Sequence, residues 1–412
     1  MKKTTNPIIA DIRQTLIDSI DLAALASSAS YHKEGEAPRV HGVRTGEVSK
    51  IAKEGLKQIK HQPKKEILEL CEELWQAGYL EESIVACIWA ESLHKQYKPA
   101  DFKVFDRWKL ILLLFLTLLT QSTFAILPDT VYIRKPEELG LMYKELEVKT
   151  NDEYHIATWF FPAQNSLSES ELEMLNGTKR KYGKLDNKKR LTIIICNGDA
   201  GNMSYFQLHL AEAFCNMGFN VVTFDWRGFG ASTYFPMDKN FLCYTEMLED
   251  YNAVINTVAQ QPEVRKDAIV IMGWSTGAYL SMITAYDNNN VSAFIGRSLP
   301  TTFDDFIPLV MKVRNKTKSE LIVPENFPTD KMPIRIAPKF RKPIFLINGE
   351  NDIRTPVWMS RKVLDLLPSD IPRELMVVKN AAHGGKEDPI MIDFDNFIDR
   401  VSLFLAKNIV DK

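Results

Sequence analysis

Gly273-Trp274-Ser275-Thr276-Gly277 sets a hydroxyl among small residues at a point where two textures of chain meet. The apolar, β-branched run Ile269-Val270-Ile271-Met272 precedes it, and the helix-compatible run Ala278-Tyr279-Leu280-Ser281-Met282-Ile283 follows at once. A strand that passes into a helix through Gly-x-Ser-x-Gly is a nucleophile elbow. The serine sits on a tight turn, and the flanking glycines let the backbone turn without Cβ clashes. The chemistry of such a serine is attack by Oγ on an acyl carbon, and the hydroxyl is a poor nucleophile without a base.

Only His209 and His383 follow residue 200, so the choice of base is narrow. His209 lies within Gln207-Leu208-His209-Leu210, inside an expected helix, and reads as a structural or surface residue. His383 lies among small neighbours, Ala381-Ala382-His383-Gly384-Gly385, after the strand-like Leu375-Met376-Val377-Val378. An orienting acid belongs between serine and histidine, at another strand end. Asp352 meets that requirement, following Ile344 to Asn351 with Pro356 shortly after. Glu350 is its nearest rival, and Asp304, Asp305, Asp365 and Asp370 are placed less well. Acyl transfer also needs donors for the tetrahedral oxyanion. The backbone N–H of Thr276 is one candidate, and that of Asp199, in the loop Asn197-Gly198-Asp199-Ala200-Gly201-Asn202, is the other.

These residues require a scaffold that presents strand ends together. From Leu191 the chain alternates expected strands (Leu191–Cys196, Asn220–Phe224, Ala268–Met272, Val291–Ile295, Pro343–Asn348 and Glu374–Val378) with helices, the last from Ile390 to Ala406. Such alternation implies an α/β fold, a mostly parallel sheet covered on both faces with its functional groups at the C-terminal strand ends. Leu146–Thr150 and His155–Phe161 flank Asn151-Asp152 as a hairpin. Residues 164–190, polar and without a period, read as a surface insertion or loop. The stretch 299–338 reads as a loop-rich lid. Its Phe303, Phe306, Ile307, Leu309 and Val310 suit either an acyl pocket or packing of the lid on the body.

Residues 1–109 carry helical patterning alone and form a small all-α module. Ile8, Ile9, Ile12 and Leu16 mark one helix, and another starts with Thr45 as its N-cap. A third and a fourth follow Pro63 and Glu81. Between this module and the α/β region 128–412 lies 110–127, which begins Leu-Ile-Leu-Leu-Leu-Phe-Leu-Thr-Leu-Leu after Lys103, Arg107 and Lys109. It suits a buried helix or a short membrane anchor with its basic side cytoplasmic. The compartment therefore stays open between a membrane-anchored, exported hydrolase domain and a cytoplasmic protein. A net charge of -2 argues against a chain dominated by nucleic-acid contacts. The five cysteines are widely spaced and form no metal-ligand or CxxC pattern, which makes them reduced and mostly buried. No metal or cofactor is expected. Arg227-Gly228-x-Gly230 lacks the spacing of a nucleotide-binding loop.

Taken together, Asn197-Gly198-Asp199-Ala200-Gly201-Asn202, Asp225-Trp226-Arg227-Gly228-Phe229-Gly230, Gly273 to Gly277, Gly349-Glu350-Asn351-Asp352 and His383-Gly384 resemble the α/β-hydrolase superfamily over about 145–410. Within it they are similar to the serine-aminopeptidase-like and monoacylglycerol-lipase-like branch. The resemblance implies a serine hydrolase, esterase-like or peptidase-like, that cleaves an ester, thioester or amide of a small acyl substrate, lipid-like ones included, through an acyl-enzyme on Ser275 with His383 and Asp352. Asp199 and Thr276 would be its oxyanion donors. Where that branch usually has His-Gly, this chain has Asn197-Gly198. Gly42 to Lys53, Leu74-Trp75, Glu81-Glu82 and Phe105-x-x-Trp108 resemble the start of HEAT-like DNA-alkylation-repair glycosylases. That resemblance stops where the family's DNA-facing half begins, and residues 1–109 balance 17 Lys/Arg against 16 Asp/Glu. The module therefore reads as a truncated relic or a protein-interaction element. A second reading of the chain is an interaction protein with the hydrolase fold as scaffold.

Overall fold

The computed structural model describes residues 6–21, 39–93, 96, 125–175, 179–314 and 317–410. The chain divides into two compact units, residues 1–121 and 122–412. Most of the apolar stretch 110–127 lies outside the described residues, and so does the irregular 31–38. Among the described residues no helix is long and apolar enough to cross a membrane.

The first unit contains helices α1 (Pro7–Asp18), α2 (Thr45–Ile59), α3 (Lys64–Gln76) and α4 (Leu80–Glu91). Their apolar stripes close on one core in which Ile12, Leu16, Val48, Cys71, Leu74, Val85 and Trp89 are buried. The Trp89 indole N–H donates to Ala52 O at 2.7 Å, which ties α4 to α2. Thr45, expected as the N-cap, is instead the first helical residue, and Arg44 occupies the cap position. The buried Glu81 carboxylate accepts the backbone N–H groups of His41, Gly42 and Val43. Glu82 takes Arg13 at 2.8 Å and His41 at 3.1 Å. The acidic pair thus anchors the segment entering α2 as well as α1.

The second unit is built on an eight-stranded sheet. In chain order its strands are β1 (Lys144–Leu146), β2 (Thr158–Phe161), β5 (Arg190–Ile195), β6 (Asn220–Phe224), β7 (Val264–Trp274), β8 (Val291–Arg297), β9 (Ile344–Gly349) and β10 (Arg373–Val378). β3 (Gln164–Ser166) and β4 (Tyr182–Lys184) form a separate antiparallel pair. Across the sheet the order is β10-β9-β8-β7-β5-β6-β2-β1. β1 and β2 are antiparallel, as the hairpin pattern implied, and from β6 to β10 neighbouring strands run parallel. Alternate side chains of the central strands enter different cores. Ile194, Ile269 and Ile271 face α7 (Met247–Ala259) and α8 (Thr276–Asp287), while Ile193, Ile195 and Val270 face α6 (Gln207–Asn216) and α13 (Phe394–Leu405). Burial on both faces explains why these strands read as continuous apolar runs.

Three expectations need correction. Residues 164–190 are not simply a loop. The β3–β4 ribbon encloses α5 (Glu169–Met174), opened by a Ser168–Glu171 capping box. Three-residue strands are too short to show a period of two, which is why the pattern was invisible. After α11 (Val357–Asp365) the final helix is also divided, into α12 (Pro389–Ile392) and α13, because Asp393 adopts the non-helical φ −134°. The stretch 299–338 is largely helical, with α9 (Phe303–Arg314), short 3-10 turns and α10 (Pro333–Ile336). Phe303, Phe306 and Val310 are buried in the same core as α8. Phe303 and Phe327 pack edge-on against Tyr279 at 5.5 and 6.0 Å, so these side chains hold α9 on the body.

Ile271, fully buried within the strand β7 that leads into the elbow, tests the central packing. Ile271→Ala is expected to destabilise the second unit by about 2–5 kcal/mol, read as a lowered urea midpoint with an unchanged denaturant slope.

Candidate active site

Ser275 sits at the junction of β7 and α8 with φ 51° and ψ −110°, a region that non-glycine residues rarely occupy. Its N–H donates to Arg297 O at 2.9 Å, which fixes the turn to the end of β8. The flanking glycines are required by contact. A Cβ on Gly273 would lie 2.2 Å from Gly277 O, and one on Gly277 would lie 1.8 Å from Asn197 O. A Cβ on Gly198 would meet the Trp274 ring at 3.1 Å. The elbow and the loop after β5 therefore touch backbone to backbone, as adjacency of β5 and β7 demands.

His383, in the loop after β10, places Nε2 3.1 Å from Ser275 Oγ. Its Nδ1 lies 2.9 Å from Asp352 Oδ2 and 3.1 Å from Oδ1. With the proton on Nδ1 donated to Asp352, Nε2 is left to accept from the serine hydroxyl. All three residues are buried. The Asp352 carboxylate also accepts the N–H groups of Arg354 and Thr355, each at 2.9 Å, and the Thr355 hydroxyl at 2.7 Å. Burial acts to raise its pKa, but the His383 and Thr355 hydrogen bonds and the imidazole charge outweigh that and hold it below the ordinary value.

The other sequence candidates lie elsewhere. Glu350 is exposed and accepts the Asn380 N–H. Asp305 meets Thr301 and Lys362. His209, on α6, contacts Arg134 at 2.9 Å. Thr276 is the first residue of α8, and among the described residues its N–H has no acceptor in the chain, as expected at a helix start. The Asp199 N–H likewise has none, and its carboxylate is held by Arg314 of α9 at 2.8 Å. Arg227 forms ion pairs with Asp152 at 2.6 Å and Asp250 at 2.7 Å, and its guanidinium stacks on Tyr154. It is a strap between loops. Among the described residues no cluster of His, Cys, Asp or Glu is placed to hold a metal ion. The five cysteines are unpaired, and all but Cys87 are buried.

Several residues here escaped sequence reasoning. Thr355 lies 3.1 Å from His383 Nδ1 and so touches both His383 and Asp352. Its spacing, Asp-x-x-Thr, is a turn signature in which an aspartate caps the following N–H groups. Arg297 lies over the Trp274 ring at 4.3 Å and forms a buried pair with Asp388 at 2.8 Å. The Trp274 N–H donates to His383 O at 3.2 Å. This chain of contacts fixes the histidine loop against the elbow. A lone arginine at the end of an apolar strand was its only trace in the sequence.

Residues 187–333 match the family model described as serine aminopeptidase, S33, and residues 12–110 match that of a DNA alkylation repair enzyme. The chain is 24% identical over 242 residues to the uncharacterized protein YfhR of Escherichia coli K12, covering 58% of this chain and 73% of that protein. It is 27% identical over 133 residues to the phosphatidylserine lipase ABHD16A of Homo sapiens, covering 32% of this chain and 22% of that lipase. The Pyrococcus furiosus esterase Pf2001 shares the fold with a TM-score of 0.52 at 21% identity, covering 68% of this chain and 99% of that one.

The depressed Asp352 pKa carries a sign. The folded state gives up this proton more readily than the unfolded chain, so the stabilisation is complete above the ordinary value of 3.8 and is lost as pH falls through the depressed one. Asp352→Asn removes that contribution. Between about pH 5 and about pH 3 the urea midpoint of the wild type should fall more than that of the variant.

Proposed function

Since this chain is a hydrolase of the α/β-hydrolase superfamily, we propose that Ser275, His383 and Asp352 are its catalytic triad and that it cleaves esters through an acyl-enzyme. The relay of 3.1 Å from Ser275 to His383 and 2.9 Å from His383 to Asp352, on a serine held at the strand-to-helix turn, carries the reading. His383 Nε2 removes the hydroxyl proton as Oγ bonds to the substrate carbonyl carbon. Asp352 keeps the imidazole oriented and stabilises its charge. The resulting oxyanion is received by the N–H groups of Thr276 and Asp199. Collapse of the adduct expels the leaving group, which takes the proton from His383. Water, deprotonated by the same imidazole, then attacks the acyl-enzyme and frees the acid and Ser275.

The oxyanion donors are backbone groups, so Asn197 in place of histidine leaves their chemistry intact. The partial likeness to a phosphatidylserine lipase supports an ester with a lipid-like acyl chain over an amide. Thioesters and amides are the competing acyl substrates.

A neutral fluorophosphonate probe should label the full-length protein, and Ser275→Ala should abolish labelling. His383→Ala should lower hydrolysis of p-nitrophenyl esters by about 10³- to 10⁶-fold. A folded wild-type protein that takes no label would overturn the triad.

A further inference from the structure

Arg354 stands two residues after the triad acid, and its backbone N–H is already committed to Asp352 Oδ1 at 2.9 Å. Its side chain is half-buried. Among the described residues its guanidinium has no hydrogen-bond, ion-pair or aromatic partner, unlike that of Arg227, Arg297 or Arg314. Burial holds its pKa below the ordinary range and the nearby Arg314 adds to the depression, while Asp199 and Asp352 oppose it. Arg314, from the lid helix α9, reaches the loop after β5 through its ion pair with Asp199, and Arg354 belongs to the loop after β9 that carries Asp352. Both carboxylates that oppose the depression are already bonded. Asp199 is bonded to Arg314, and Asp352 accepts from Arg354 N, Thr355 N, Thr355 Oγ1 and His383.

A partly desolvated cation without a partner is unfavourable, and an anion that reaches it recovers a charge-assisted, bidentate contact. We propose that Arg354 is a specificity residue that binds an anionic group, carboxylate or phosphate, carried by the substrate close to its scissile ester. The inference rests on the serine-hydrolase reading and adds a substrate class to it. The bond broken is the same acyl bond, and Arg354 takes no part in proton transfer.

Matched substrate pairs test it on the full-length protein. The p-nitrophenyl monoester of glutaric acid against p-nitrophenyl pentanoate places a carboxylate on the acyl side. Lysophosphatidic acid against the corresponding monoacylglycerol places a phosphate on the leaving side. The wild type is expected to favour the anionic member of at least one pair in kcat/KM. In Arg354→Ala and Arg354→Gln that anionic-to-neutral ratio should fall by about 10- to 100-fold, with part of it restored in Arg354→Lys, which keeps the charge without the fork. A ratio cancels any general loss of activity or folded protein. The pair that responds identifies the anion as carboxylate or phosphate. Hydrolysis of the neutral esters, dependent on Ser275, with ratios that Arg354 does not alter would overturn this inference and leave the triad standing. Hydrolysis of neither member of either pair would also overturn it. Absence of phosphonate labelling would overturn both readings.

Discussion

The backbone contact between Gly277 and the Asn197 carbonyl is the constraint around which the second unit is arranged. No Cβ fits there, since one would lie 1.8 Å from Asn197 O. The contact brings the loop after β5 against the start of α8, and it holds Ser275 in a conformation whose strain is about 1–3 kcal/mol. That strain persists because the surroundings determine the turn from several directions. Ser275 N–H is bound to β8, and Gly273 is wedged against Gly277 O. α8 is buried along its length, from Thr276 to Ala285. A helix apolar on all sides cannot slide or rotate to relieve the turn without exposing one of them.

The histidine and the acid depend on a second set of contacts that the strained turn does not supply. Their loops follow β10 and β9, at the far side of the sheet from β6. Buried polar groups bridge that distance. Arg297 reaches Asp388 and stacks on Trp274, which in turn binds the His383 carbonyl. A buried ion pair is poor evidence for stability, because desolvation offsets its Coulomb gain. Its value here is positional: Asp388 also caps α12 through Ile390 N–H, so one pair fixes a strand end, a helix start and the histidine loop.

The sheet and the elbow were legible in the sequence for a physical reason. Parallel strands buried on both faces must be apolar throughout, and Gly-x-Ser-x-Gly is dictated by local sterics. Ser275, Asp352 and His383 could be singled out as candidates because each follows a strand end and few rivals share that position. The supports were not legible. Arg297 and Asp388 act across a separation in sequence that no local pattern records, Thr355 bore only a turn signature with no hint of its contact with His383, and the short β3–β4 ribbon carries too few residues to show a period. The lid aromatics were ambiguous for a different reason. A phenylalanine facing an acyl pocket and one facing the core have the same sequence signature, and only their burial against Tyr279 separates them.

The replacement of histidine by Asn197 shows why motif departures need weighing atom by atom. In this loop the groups in contact with the elbow belong to the backbone: the Asn197 carbonyl against Gly277 and the α-carbon of Gly198 against Trp274. Substituting the side chain at 197 leaves both contacts in place, whereas adding one at 198 or 277 does not. The Asp199 carboxylate is held by Arg314 of α9. The loop's tolerance is therefore asymmetric. A different side chain at 197 leaves the carbonyl contact in place, whereas a Cβ at 277 has no room and one at 198 would crowd the Trp274 ring.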